Sequence, residues 1–271
     1  MGEKSLDERI EQRFGGKNGF RKETKETNRI RKVIAVASGK GGVGKSMVTS
    51  LLAIALNNKG YRVGILDADV TGPSIPMTFG AHTYATSDGE GINPIESRKG
   101  IKMMSLNFLI ENETDPVVWR GPVINGIVQQ FWTDVYWGEL DYLLIDLPPG
   151  TSDVVLTVYQ SLPVDAVIFV STPQDLVGMI VEKAIKMSEM VNIPTLALVE
   201  NMQYIICPHC NEKIEIFGES KASEIADRYG IPYVVSLPID PALTQAVDRG
   251  TLEFSEVKEI LPLAEAVESL E

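Results

Sequence analysis

Gly39-Lys40-Gly41-Gly42-Val43-Gly44-Lys45-Ser46 is the stretch on which the fold turns. It fits the pattern of a glycine, four further residues and then Gly-Lys-Ser, and it stands between two different periodicities. Before it, Val33-Ile34-Ala35-Val36 is an apolar, β-branched run of the kind that forms a buried strand. After it, Leu51, Leu52, Ile54, Ala55 and Leu56 recur at helical spacing. Strand, loop and helix follow in the order a phosphate-binding loop requires. Glycines let the backbone curl, so that successive N–H groups and the positive end of the helix dipole face one anion. Lys45 is expected to reach the β- and γ-phosphate oxygens of ATP, or the β-phosphate of ADP. The Ser46 hydroxyl should coordinate Mg2+, a hard cation that takes only a ligand or two from protein. The nucleotide-contacting set is then Gly39, Lys40, Gly41, Gly42, Val43, Gly44, Lys45, Ser46 and Met47.

Two acidic segments fall where this chemistry needs them. Arg62-Val63-Gly64-Ile65-Leu66 reads as a second buried strand and runs into Asp67-Ala68-Asp69. Tyr142-Leu143-Leu144-Ile145 reads as a third and runs into Asp146-Leu147-Pro148-Pro149-Gly150-Thr151. Carboxylates at the C-terminal ends of strands lie on the ligand side of an open α/β sheet. Asp69 is the candidate for orienting or deprotonating an attacking water, while Asp67 and Asp146 belong beside Mg2+, directly or through its waters. One aspartate after a strand is usually a cap or turn residue; topology gives these three a shared site.

Cys207-Pro208-His209-Cys210 holds both cysteines of the chain. Tetrahedral zinc and a four-iron cluster each want four ligands, and one chain supplies two. A thioredoxin-like redox pair, half of a zinc site and half of an iron–sulfur site shared by two subunits are the readings in play. A redox pair usually opens a helix after a strand. Here Ile205, Ile206, Ile214, Ile216 and Phe217 flank the pair like a short hairpin or knuckle, which disfavours that reading. The residues do not choose between zinc and iron–sulfur, and His209 is expected to face solvent.

Taken together, the loop with its two lysines, the Asp67-Ala68-Asp69 segment and the Asp146-to-Gly150 segment resemble the deviant Walker A ATPases, the group of MinD, ParA and the nitrogenase iron protein. Gly72-Pro73-Ser74-Ile75-Pro76, Arg120-Gly121-Pro122 and Asp146-Leu147-Pro148-Pro149-Gly150-Thr151-Ser152-Asp153 are most similar to the Mrp/ApbC branch, and the likeness runs from about Lys32 to the C-terminus. The resemblance implies a homodimer in which Lys40 reaches the partner's nucleotide. It also implies that Cys207 and Cys210, following Val199-Glu200-Asn201-Met202, hold an iron–sulfur cluster, of four-iron type, between two subunits for delivery to apo-proteins. Asn201, just past the strand Leu196-Ala197-Leu198-Val199, is placed like the asparagine that reads the adenine edge in related ATPases. Pro238, after the strand Tyr233-Val234-Val235-Ser236, is a second candidate for the base pocket. The alternative is a MinD/ParA-like positioning ATPase with structural zinc, and a third reading is a reductase like the nitrogenase iron protein. The first lacks a basic tail or DNA face here; the second draws its cysteines from separated positions.

Composition agrees with one soluble domain. A chain of 271 residues with 44% hydrophobic content can bury a substantial core, and no run approaches the roughly 18 apolar residues of a membrane span. A polar N-terminus and two cysteines fit a reducing cytoplasm. The net charge of −12 is uneven: residues 1–32 carry +4 and the rest −16, a balance that repels a phosphate backbone and argues against nucleic acid as a partner. Residues 1–32 read as a charged arm, a short helix or disordered, and 33–271 as a single ATPase domain with its metal knuckle at about 204–217. The acidic helix through Leu261, Leu263, Ala264, Val267 and Leu270 is expected to pack on the body rather than on a membrane. Other segments alternate as well: strands at Ile101–Ser105 and Ala166–Val170, a helix from Val123 to Val135. Met179, Met187 and Met190 lie on a further helix, as core or partner surface. Buried strands alternating with helices predict an α/β fold, a three-layer, doubly wound, mostly parallel sheet.

Overall fold

The computed structural model describes residues 21–270 except 71, 73, 111–120, 175–178 and 257. Pro73, Arg120 and the first 20 residues of the expected arm therefore lie outside the described residues. The strands are β1 (Arg29–Ser38), β2 (Val63–Asp67), β3 (Thr86–Ser87), β4 (Ile92–Asn93), β5 (Ile95–Glu96), β6 (Lys102–Met104), β7 (Glu139–Asp146), β8 (Ala166–Ser171), β9 (Thr195–Ile206), β10 (Lys213–Ile214) and β11 (Tyr233–Pro238). The helices are α1 (Lys45–Asn58), α2 (Ile75–Phe79), α3 (Gly121–Thr133), α4 (Asp153–Ser161), α5 (Met179–Met190), α6 (Ala222–Tyr229), α7 (Pro241–Asp248) and α8 (Leu261–Glu268).

Nine strands form one sheet in the order β10-β9-β8-β1-β7-β2-β6-β5, with β11 also on β9. β1, β7, β2, β6, β8, β9 and β11 pair in parallel; β10 on β9 and β5 on β6 are antiparallel. Alternate residues of β1 supply the two faces. Val33, Ala35 and Ala37 pack with Val128 and Phe131 of α3, Val155 and Val158 of α4, Ile185 of α5 and Ile225 of α6. Ile34 and Val36 pack with Val48 and Leu52 of α1, Leu243 of α7 and Leu263 and Val267 of α8. Both faces are covered, which is why the central strands are apolar throughout rather than alternating. The three-layer reading holds, and the C-terminal helix packs on the body, although its Leu261 is exposed.

One boundary differs from the sequence reading. Arg29 to Lys32, assigned to the arm, open β1 instead. There β1 pairs with β7 alone, from Arg29 opposite Glu139, and its pairing with β8 starts only at Ile34. One side of this stretch is open to water, so charged side chains are tolerated at three of its four positions, Arg29, Arg31 and Lys32. Residues just before it are tied down too: the Lys22 N–H donates to the Ser161 carbonyl at 2.8 Å and the Trp132 indole to the Lys22 carbonyl at 2.9 Å.

Candidate functional site

The strand register assembles the site. Val36 of β1 and Asp67 of β2 both lie opposite Asp146 of β7, so the loop after β1 and two carboxylates emerge side by side at one end of the sheet. Gly44 caps α1 with φ 81°, a left-handed conformation natural to glycine, and no side chain caps the helix. No acidic residue sits in the first turn, so the free N–H groups of a 14-residue helix face the loop. A Cβ on Gly42 would meet nothing within 4 Å, and one on Gly41 nothing nearer than 3.8 Å. The cradle is open on the side where an anion must enter. A cleft of about 320 Å³ lies over it, lined by the loop from Lys40 to Met47 together with Ser38, Asp69, Gly72, Ser74, Thr78, Pro149 and Val247.

Lys45 is 6% exposed, and its Nζ stands 2.8 Å from Asp146 Oδ1 and 3.7 Å from Asp69 Oδ2. Ser46 Oγ donates to Asp146 Oδ2 at 2.5 Å, and Thr49 Oγ1, one turn along α1, donates to Asp146 Oδ1 at 2.8 Å. Ser105 Oγ donates to Asp67 Oδ2 at 3.0 Å, and the Asp69 N–H donates to Asp67 Oδ1 at 3.1 Å. Burial pushes the Asp67 carboxyl up, and the Asp146 carboxylate pushes the same way, against Lys45 and Ser105. Three carboxylates around one lysine leave the site short of positive charge. Ser46 and Asp146 offer hard oxygens, the donor set of Mg2+, with the remaining positions left to phosphate and water. Among the described residues no three His, Cys, Asp or Glu side chains are grouped to hold a metal unaided.

Two expected contacts come out differently. Asn201 is fully buried, and its Nδ2 donates to the Val43 carbonyl at 2.9 Å, so the amide holds the loop from beneath instead of lining the cleft. Gly44 makes room for it: a Cβ there would come within 2.3 Å of Nδ2. Asn201 Oδ1 has no hydrogen-bond partner among the described residues. Pro238 lies opposite Tyr204 at the end of β11 and does not line the cleft either; the bulge between Ser236 and Pro238 turns it aside. Asp240 next to it caps α7 by accepting from the Ala242 N–H at 2.8 Å. Sequence reasoning missed Thr49, Ser105, Thr78 and Val247. Ser105 had a signal, its place at the end of a strand, and Thr49 another, one helical turn past Ser46; Thr78 and Val247 had none.

α2 and the turn after α7 meet backbone to backbone. Gly80 and Gly250 both have φ 62°, and a Cβ on Gly250 would fall 2.3 Å from Gly80 Cα.

The cysteines sit beyond the far end of β9. The β9–β10 hairpin pairs Ile206 with Lys213 and Ile205 with Ile214, and Lys213 Nζ lies 4.1 Å from the Tyr204 ring centre. The turn closes with the Cys207 N–H on the Glu212 carbonyl and the Asn211 N–H on the Cys207 carbonyl, each at 2.9 Å. Cys207 is half-buried, Cys210 and His209 are exposed, and both thiols are free. Backbone N–H groups of His209 and Cys210 hold the Cys207 thiol below the ordinary value, with the Cys210 thiol adding to this. Ile206, Ile214, Ile216 and Phe217 are all more than two-fifths exposed around the pair.

A glycine loop between a central parallel strand and an uncapped helix, with lysine and serine set against strand-end carboxylates, defines a P-loop NTPase. The chain belongs to the NUBPL iron-transfer P-loop NTPase family of the ParA group, whose pattern matches residues 29–270. It is 48% identical over 232 residues to an iron-sulfur cluster carrier protein of Clostridium perfringens, covering 83% of this chain and 81% of that one. It is 43% identical over 230 residues to the cytosolic Fe-S cluster assembly factor CFD1 of Kluyveromyces lactis, covering 82% and 81%. Among solved structures, a nucleotide-binding protein of Archaeoglobus fulgidus in complex with ADP superposes with a TM-score of 0.77 at 47% identity, over 85% of this chain and 90% of that one. No helix among the described residues is long and apolar enough to cross a membrane.

Proposed function

We propose that this chain is an ATP-hydrolysing carrier of iron–sulfur clusters that works as a homodimer, each subunit giving Cys207 and Cys210 to one shared four-iron cluster. The observation that carries the reading is the thiol pair itself: two adjacent, accessible sulfurs, one with a depressed pKa, on a chain of an iron-transfer family. Four thiolates complete a four-iron site, and two subunits supply four. The cluster is cargo, handed on to apo-proteins whose own cysteines displace these.

At the loop, the backbone N–H groups from Gly41 to Ser46 bind the phosphates. Lys45 exchanges its contact with Asp146 for the β- and γ-oxygens, and the Ser46 hydroxyl, now on Asp146, would serve as a ligand of the cation. Mg2+ when bound supplies neutralising charge to the phosphates. Asp69 orients the attacking water, and Asp67 and Asp146 would hold the cation, directly or through its waters. Lys40, exposed at the mouth of the cleft, reaches the nucleotide of the partner subunit.

Anaerobic reconstitution with iron and sulfide tests the reading. Four irons per dimer, with the spectrum of a four-iron cluster, are expected; zinc alone, or an unchanged cluster in Cys207→Ala, would sink it.

A further inference from the structure

One strand touches both sites. Up to Glu200, β9 is paired on both sides, Glu200 lying opposite Ser171 of β8 and Ser236 of β11. The next residue, Asn201, donates to the Val43 carbonyl inside the phosphate loop. Then the strand bends: Met202 is a non-glycine residue at φ 60°, and the pairing with β11 shifts register before it resumes at Tyr204. The Tyr204 carbonyl accepts from the Ile239 N–H at 2.7 Å, and Ile239 leads directly into α7, whose Val247 lines the cleft. Cys207 follows three residues later. At about 3.3 Å per residue, roughly 20 Å of one strand separates the loop's anchor from the first thiol.

Left-handed backbone at a residue with a Cβ is strained, and it persists only where its surroundings hold it. Among the described residues two hydrogen bonds flank it, Asn201 to Val43 on one side of Met202 and Tyr204 to Ile239 on the other. Each leads back to the walls of the nucleotide cleft. A bulge of this kind re-aims the chain beyond it, and the chain beyond it is the cysteine hairpin.

We propose that Asn201 is the positioning residue that couples the two sites: phosphate entering the loop moves the Val43 peptide, the Asn201 amide follows, and the bend at Met202 turns that movement into a change of orientation at Cys207 and Cys210. This deepens the carrier reading and rests on it for its purpose, yet it is testable without a cluster. Coupling between sites is reciprocal, so occupancy of the thiols alters nucleotide affinity by the same factor.

The test is the rate at which iodoacetamide alkylates Cys207 and Cys210 in the apoprotein, read by mass spectrometry with and without saturating Mg–ADP. The native chain should change rate by about fivefold or more on adding nucleotide. In Asn201→Ala, and in the isosteric Asn201→Asp that lacks the donor, the two rates should be equal at nucleotide concentrations that saturate each variant. A full response in either folded variant overturns the proposal, as does a native chain whose thiols ignore nucleotide. A variant that binds no nucleotide at any concentration also overturns it, because Asn201 would then serve the loop alone. Failure of the carrier reading looks different: the thiols respond to nucleotide, but reconstituted protein holds no iron.

Discussion

The phosphate loop and the cysteine hairpin, both reached from β9, are built on opposite terms. At the loop, Lys45, Asp67 and Asp146 are at most 6% exposed and each is held by a short list of named partners. At the hairpin, two pairs of residues make the whole ladder, and Cys210 stands in solvent among exposed apolar side chains. Charge stabilisation in a reaction depends on dipoles fixed beforehand, in a place water does not flood. Under the proposed function the hairpin has the contrary requirement, since its sulfurs would have to meet an iron source, a second subunit and an acceptor surface. One site is made to stay still, and the other to be met.

Substitutions should respect that division, and the largest effect is the cleanest break. Cys207→Ala is expected to reduce reconstituted iron to background while the ADP dissociation constant, from isothermal titration, moves by less than about twofold; a large loss of ADP affinity would mean the sites are not separate structures. Lys45→Ala runs the other way. ATP turnover should fall by about 10²–10³-fold, the cost of losing one donor to developing charge, with iron loading of the anaerobic protein preserved. Gly44→Ala sharpens the contrast at its seam. A Cβ at φ 81° costs on the order of 1–2 kcal/mol and points into Asn201, so chemical denaturation should register that loss, and nucleotide affinity should fall by about tenfold. Equal stability of the two proteins would contradict the packing of Asn201 under the loop.

The smallest effect concerns Glu200, buried beside Asn201 with neither carboxylate oxygen in a well-formed hydrogen bond among the described residues. Burial pushes its carboxyl up, with the Ser220 hydroxyl opposing. A carboxyl raised on folding weakens the native state as pH climbs from the usual carboxylate range through the raised value. Glu200→Gln should therefore gain stability at pH 8 and little at pH 4. An unpartnered buried group costs about 1–3 kcal/mol, and each kcal/mol moves Tm by roughly 2–4 °C at this size. Melting curves at the two pH values decide it; an equal gain at both would remove ionisation as the cause.

How legible each region was follows from how its contacts are distributed along the chain. The loop and its carboxylates could be read because each motif is contiguous and each sits at a strand end, where parallel pairing brings ends together. Asp67, Val36 and Asp146 met in register for that reason. The hairpin could be read from its flanking isoleucines. Asn201 could not: its hydrogen bond to Val43 joins residues 158 positions apart, and no local pattern records that this mid-strand side chain turns toward the loop. Val247 was hidden the same way, on a helix that reaches the cleft only through tertiary packing. Arg29 to Lys32 misled because three charges in four residues look like a solvated arm until one knows that only β7 pairs with them.

Gly80 and Gly250 have an effect on the cleft that outlasts any particular side chain. Thr78 on α2 and Val247 on α7 line it, and the chain joins these two helices where main chain rests on main chain. The aperture between them is thus gauged by backbone dimensions, which are the same in every protein, rather than by residues that drift with substitution. A single methyl at either glycine would push the two backbones apart and with them the walls of the opening.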